Sequence, residues 1–265
     1  MINRQFDAVA ELQAAFQVLS KNWILALPTA IASLVAIVFL TSMAGATALS
    51  VLGAGSLSGH PGGMAALLGM GSMTLIGGGA LIFLITAVAH ATVIGAAEDA
   101  WRGQQPDLSR GLSRAVAKLP SIIIAAIILA VAAMVCAILV IAAGLGLLLL
   151  LALGFTMMYV LPAIVVGSES GTSALGASWR LSTRNFAPSI AAFIGIVAAY
   201  IVGGLVSATI GHVPVLGWIA AFFVGGLTSA FAALVSVRFY DVLGGAAVQP
   251  LAAVDLPPRD IPPTI

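Results

Sequence analysis

The chain has 265 residues, of which 61% are hydrophobic and 7% charged, with a formal net charge of +1 and a mean hydropathy of +1.17. Soluble domains are about half apolar and about a quarter charged, so the 10 basic and 9 acidic residues are too few to cover a soluble fold of this size. The bilayer is the alternative solvent, and a net charge of +1 does not suggest a nucleic-acid partner. The single cysteine, Cys136, excludes an intrachain disulfide.

In chain order, three stretches carry no Asp, Glu, Lys or Arg: 22–97, 119–168 and 185–237, of 76, 50 and 53 residues. A helical crossing takes about 20 residues, so each stretch suits two crossings joined by an uncharged turn. The expected fold class is an all-α polytopic membrane protein, six transmembrane helices as three hairpins. Breakers place the turns at Gly45–Gly63, Ala142–Gly146 and Gly211–Pro214. The spans then run Trp23–Ala44, Leu75–Ala97, Leu119–Ile141, Leu147–Val166, Phe186–Ile210 and Val215–Val237. Met64–Thr74 either lengthens the second helix or lies at the interface. "TSMAGATA" at Thr41–Ala48 resembles a signal-peptidase site. The long amphipathic segment before the apolar run and the pairing of spans instead predict that the first span is retained.

All ten basic residues fall on one side of this topology, which the positive-inside rule makes the cytoplasm. Both termini are then cytoplasmic, in the cytoplasmic (inner) membrane of a prokaryote. Each hairpin follows an amphipathic segment. Val9, Leu12, Phe16 and Leu19 make one apolar face, opposite Gln13, Gln17 and Lys21. Leu108, Leu112, Ala115, Val116 and Leu119 make another, with Arg110, Arg114 and Lys118 as a basic stripe and Asp107 as N-cap. In "ALGASWRLSTRNFAPSI", Ala174, Ala177, Ser178 and Leu181 oppose Ser173, Gly176, Arg180 and Arg184, and Trp179 suits the headgroup level. Three cytoplasmic interfacial helices are expected. Arg110, Arg114, Lys118, Trp179, Arg180 and Arg184 are their lipid-headgroup contacts, with the bilayer and its anionic headgroups as partners. Pro28, Pro120 and Pro188 stand where the spans begin.

The junctions "KNWILALP", "AKLPSI" and "RNFAPSI" look alike. Each hairpin also ends in an acid with a glycine close behind: Glu98/Asp99 and Gly103, Glu169 and Gly171, Asp241 and Gly244. Residues 1–248 therefore read as one transmembrane domain, either a degenerate threefold repeat (1–105, 106–170, 171–248) or three units alike only because any cytoplasmic helix followed by a hairpin looks so. Residues 249–265, rich in proline, are expected to be a flexible cytoplasmic tail.

Chemistry is sparse. His90 is an ionisable side chain well inside a span and a candidate functional residue; packing with a hydrogen bond to a neighbour is the structural alternative. Glu169 is the second candidate, with stabilisation of a helix N-terminus as its structural alternative. The histidines lie in "GHPG", "AHAT" and "GHVP", without a second ligand at helical spacing, so no metal or cofactor is expected. Tyr159, Tyr200, Ser207 and Thr209 either line an internal path or are ordinary intramembrane polar residues. The ladders Ala221, Gly225, Ser229, Ala233 and Ala87, Ala91, Gly95 permit close helix packing within the bundle or in a homo-oligomer. No catalytic constellation is visible. A non-enzymatic accessory, scaffold or membrane-homeostasis role is expected, with a membrane-protein partner or homo-oligomer. The alternative is a transporter or channel for a small or lipid-like substrate, in which His90 would act.

"VLPAIVVGSESGTSALGASWRLSTRNF" resembles the P…E…G…AL…S…L…N pattern of the multi-span membrane domain of some bacterial glycerophosphodiester phosphodiesterases and of related stand-alone six-span proteins. The matching residues are Pro162, Glu169, Gly171, Ala174, Leu175, Ser178, Leu181 and Asn185. "FYD" at Phe239–Asp241 is similar to that domain's aromatic–acid ending. The resemblance implies a prokaryotic cytoplasmic-membrane protein. It does not imply phosphodiesterase activity, which belongs to a separate soluble domain bearing a His-Arg pair; no His is followed by Arg here.

Overall fold

The computed structural model describes residues 7–54, 61–143, 146–210, 212–213 and 216–244. It is 89% helical, without strands among the described residues. Ten α-helices follow one another: α1 (Ala8–Lys21), α2 (Leu27–Ala54), α3 (Pro61–Trp101), α4 (Leu108–Ala117), α5 (Leu119–Ala143), α6 (Gly146–Met157), α7 (Val160–Val165), α8 (Gly171–Arg184), α9 (Phe186–Ile210) and α10 (Leu216–Val242). A 3₁₀ turn, Trp23–Ala26, joins α1 to α2. Five segments are long and apolar enough to cross a membrane: Leu81–Trp101, Leu119–Cys136, Gly146–Val165, Phe186–Ile210 and Ile219–Val242. A sixth is reached by counting α1 with the segment Trp23–Phe39, from which it departs by 93°.

The turns expected at 142–146 and 211–214 fall at helix ends, since α5 stops at Ala143 and α9 at Ile210. The expected turn over 45–63 is narrower than read from sequence: α2 continues to Ala54 and α3 begins at Pro61, with 55–60 outside the described residues. Gly45 and Gly53 cost α2 about 1 kcal/mol each relative to alanine, but they stand among Ala and Leu, which favour helix. α3 has 41 residues, about 60 Å at 1.5 Å per residue, twice what a crossing requires.

Pro28, Pro120 and Pro188 occupy the second or third position of α2, α5 and α9, where their missing N–H groups are needed least. Pro162 has the opposite effect. It lies at the third residue of α7, where its ring conflicts with the carbonyl four residues back and breaks the fourth span between Met157 and Val160. Chain reversals after the second helix of each pair use left-handed backbone: Gly103 at φ 73°, Ser168 at φ 57° and Gly244 at φ 93°. Gly171, the glycine close behind Glu169, is the first residue of α8, and Ser168 takes the strained turn.

Packing runs around a ring. α3, α7 and α10 touch one another at the centre. α2 packs on α10, α5 on α3, and α9 on α6. The core near the charged end holds Ile94, Ile122, Tyr159, Ile164, Leu234 and Phe239, all at most 1% exposed. On α10 the close approach centres one residue beyond the expected ladder. Gly226 meets Ala30 of α2, and its carbonyl accepts a hydrogen bond from the Thr29 hydroxyl at 3.1 Å.

Candidate functional site

The polar residues gather where α1, α4 and α8 lie against the ends of the long helices. Each short helix buries a narrow strip of mostly small residues: Ala15 with Leu19, Gly111 with Ala115, and Gly171, Ala174, Ser178 with Ser182. Several of their larger apolar side chains stay outside. Val9 and Phe16 are 63% and 65% exposed, Leu112 and Val116 48% and 54%, and Trp179 53%. The apolar faces expected from sequence are thus divided. Small residues let backbones approach, Leu12, Leu19, Leu108 and Leu181 pack beside them, and the remaining bulky ones face away from the protein.

α4 is held to α3 by charge. Asp107 caps it, its carboxylate accepting from the Ser109 and Arg110 N–H groups at 2.9 and 3.1 Å. Gly111 crosses α3 so closely that a Cβ there would overlap the Thr92 carbonyl, and a Cβ on Gly95 would stand 3.1 Å from the Gly111 Cα. Arg114 donates to the Gly95 carbonyl and to Glu98, both at 2.9 Å. Arg110 reaches the carboxylate of Asp99 at 3.5 Å, and Arg102 reaches Glu98 at 2.5 Å. The Asp99 side chain is only 2% exposed. Arg110 and Arg114, expected on the headgroup side, are therefore engaged by α3. A buried carboxylate needs a cation beside it, whereas exposed Leu112 and Val116 need only an apolar surrounding.

α8 is held by hydroxyls. Its Ser170 cap and Ser173 hydrogen-bond each other, and the Ser173 hydroxyl donates to Glu169 at 2.6 Å. The candidate Glu169 is thus engaged in the turn preceding α8. Gly171 rests on α5, where a Cβ would come 2.5 Å from the Ser121 carbonyl. Ser178, fully buried, donates to the freed Thr156 carbonyl at 2.7 Å and accepts from the Tyr159 N–H at 3.1 Å. Ser182 adds a second donor to Thr156 at 3.4 Å. The Tyr159 hydroxyl donates to Ser189 of α9 at 3.1 Å. Two backbone groups of the break, the Thr156 carbonyl and the Tyr159 N–H, are thereby met from α8.

α1 is held by one mixed contact. Glu11 makes a two-point ion pair with Arg238 of α10, at 2.7 and 3.2 Å. The Arg238 guanidinium lies 5.0 Å from the ring centre of Trp101, whose indole N–H donates to the Leu234 carbonyl at 3.1 Å. Sequence reasoning did not single out Glu11, Trp101, Ser182 or Ser189. Their partners are up to 227 residues distant, and no periodicity connects them.

The remaining candidates are dispersed. His90 on α3 is half-buried, with no hydrogen bond among the described residues. Tyr200 is 46% exposed and pairs with Ser229 at 3.3 Å. The Thr209 hydroxyl bonds back to Leu205, and Ser207 is half-buried. His212 is exposed, while His60 and the tail 249–265 lie outside the described residues. Lys118 is half-buried; Arg180 and Arg184 are exposed. Among the described residues no three His, Cys, Asp or Glu side chains are grouped as a metal site, and no buried side-chain polar atom lacks a partner. Compared with family models, curated proteins and solved structures, the chain finds no match, so the role of this collar of short helices rests on its own geometry.

Proposed function

We propose that the chain is a non-enzymatic integral membrane protein of the prokaryotic cytoplasmic membrane, an accessory or scaffold subunit or one acting in membrane homeostasis. In this reading α2 through α10 form three transmembrane hairpins, and α1, α4 and α8 lie along the cytoplasmic surface, with both termini on that side. Their exposed rings and aliphatic side chains face lipid. The resemblance to the membrane domain of glycerophosphodiester phosphodiesterases belongs to the same proposal. Its matching residues Pro162 and Ser178 share the joint between the broken span and α8.

The observation that carries the reading is that joint. In transporters, broken helices aim freed backbone groups at a substrate or ion. Here the Thr156 carbonyl and Tyr159 N–H are both taken by Ser178. The break serves assembly, leaving no described backbone group of that pair to a solute. The transport alternative draws on His90, half-buried without a hydrogen bond among the described residues. Isolation of the native complex in mild detergent decides between them. A stoichiometric partner is expected. A protein that is isolated alone and moves a solute across liposomes overturns the scaffold reading.

A further inference from the structure

The described cations fall into two groups. Arg102, Arg110, Arg114 and Arg238 each have a carboxylate within 4.0 Å. Lys21, Lys118, Arg180 and Arg184 have none among the described residues. In the second group Lys21, Lys118 and Arg184 lie in the last turn or at the C-cap of a short helix, just before a long helix begins, and Arg180 lies one turn earlier on α8. α1 ends at Lys21 and α8 at Arg184, while Lys118 is the C-cap of α4.

Two of the three joints also share their backbone, while Lys118 at the end of α4 differs at φ −99°, ψ 7°. Asn22 and Asn185 cap α1 and α8 at φ −127°, ψ 50° and φ −113°, ψ 52°. Both side-chain amides donate to the carbonyl four residues earlier, Val18 at 2.9 Å and Leu181 at 3.1 Å. An exposed ring follows each: Trp23 at 65% and Phe186 at 58%. The helix starts match for another pair. Asp7 and Asp107 cap α1 and α4 at φ −100°, ψ 99° and φ −101°, ψ 100°. Each short helix packs on the end of the hairpin before it: α4 on α3, α8 on α6 and α7, and α1 on α10, which closes the circle.

We propose that the three joints are repeat-related sites for the phosphate of anionic phospholipids, the strongest being that of α8, where Arg180 and Arg184 stand one helical turn apart. This rests on the membrane reading above. A C-terminal helix end repels a free anion through its carbonyls, and the Asn amides cover only one carbonyl each. Binding therefore depends on the cationic side chains together with apolar contact. A lipid supplies both, since its phosphate meets the arginines and its hydrocarbon meets Trp23, Trp179 and Phe186. A bare phosphate supplies only the first.

The test uses the full chain in phosphatidylcholine vesicles, with quenching of tryptophan fluorescence by brominated phosphatidylglycerol compared with brominated phosphatidylcholine. Stronger quenching by the anionic lipid is expected, lost in K21Q/K118Q/R180Q/R184Q. The loss is expected to be about fivefold or less in relative affinity per cation, with R180Q/R184Q accounting for the largest share. R180K/R184K and R102Q are expected to retain the preference, with unfolding temperatures in detergent showing each variant folded. Equal quenching by the two lipids in the unsubstituted protein, or an unchanged preference in the fourfold variant, overturns the proposal. Loss of the preference to excess inorganic phosphate at matched ionic strength overturns the lipid assignment in favour of a small-anion site. If neither lipid quenches and alkaline carbonate extracts the chain from membranes, the membrane reading itself fails.

Discussion

α4 and α8 occupy corresponding places, each packed on the helix just before it in the chain, yet they are fastened by different chemistry. Beneath α4 the span is unbroken and ends in Glu98 and Asp99, so the short helix supplies Arg114 and Arg110. Beneath α8 the span is broken, and its exposed groups are neutral backbone, so the short helix supplies Ser178 and Ser182. The consequence appears on the outer side. α4 has given its arginines to α3 and retains Lys118. α8 keeps Arg180 and Arg184 exposed. What lies beneath a surface helix thus decides which of its charges remain for the surroundings.

The largest effect tests what the two docks share. Gly111→Val and Gly171→Val each place side-chain atoms against backbone of the underlying helix, and each is expected to cost about 3 kcal/mol. Unfolding temperature in detergent and loss of amide protection in the affected helix would show this; tolerance of either variant would mean that its dock is looser than the contacts require. The next effect separates the docks. Arg110→Ala leaves Asp99 buried without its cation and is expected to cost about 2–3 kcal/mol, below the 3–5 kcal/mol of a fully enclosed pair because the Arg110 side chain is 54% exposed. Combining it as D99L/R110M should recover most of the loss, since apolar replacements of an ion pair are often neutral. A double variant as unstable as R110A would mean the charge is not what holds α4.

On the α8 side, Ser178→Ala removes a partner from both Thr156 and Tyr159 and is expected to cost about 2 kcal/mol. Ser182→Ala, with Ser178 still 2.7 Å from the Thr156 carbonyl, is expected to cost under about 1 kcal/mol. Equal losses would mean the two hydroxyls share the carbonyl evenly. The smallest effect sharpens the comparison by salt. At about 1 M salt the screening length is ~3 Å, and the part-exposed Arg114–Glu98 pair that joins α4 to α3 is expected to weaken by at most about 1 kcal/mol. Hydrogen exchange of α4 amides should then rise while that of α8 amides does not. A parallel rise in both would indicate general loosening rather than an electrostatic dock.

Much of the collar was legible in the chain. Asp107 before an amphipathic run, Pro28, Pro120 and Pro188 at helix starts, and the spacing of the charge-free stretches all act through local backbone chemistry, which sequence displays. They determined the helical class, the five or six segments able to cross a membrane, and the position of α4 and α8 between them. Which side of each short helix meets protein was decided only by the tertiary structure. Bulky apolar residues of these helices lie both inside and outside, so hydrophobicity alone does not set their facing; close backbone approach and the pairing of buried polar groups do. That is why Gly111 and Ser178 face inward while Phe16, Val116 and Trp179 do not, why Arg110 turns toward Asp99, and why Glu11 finds its partner at Arg238, at the far end of the sequence and beside it in the fold.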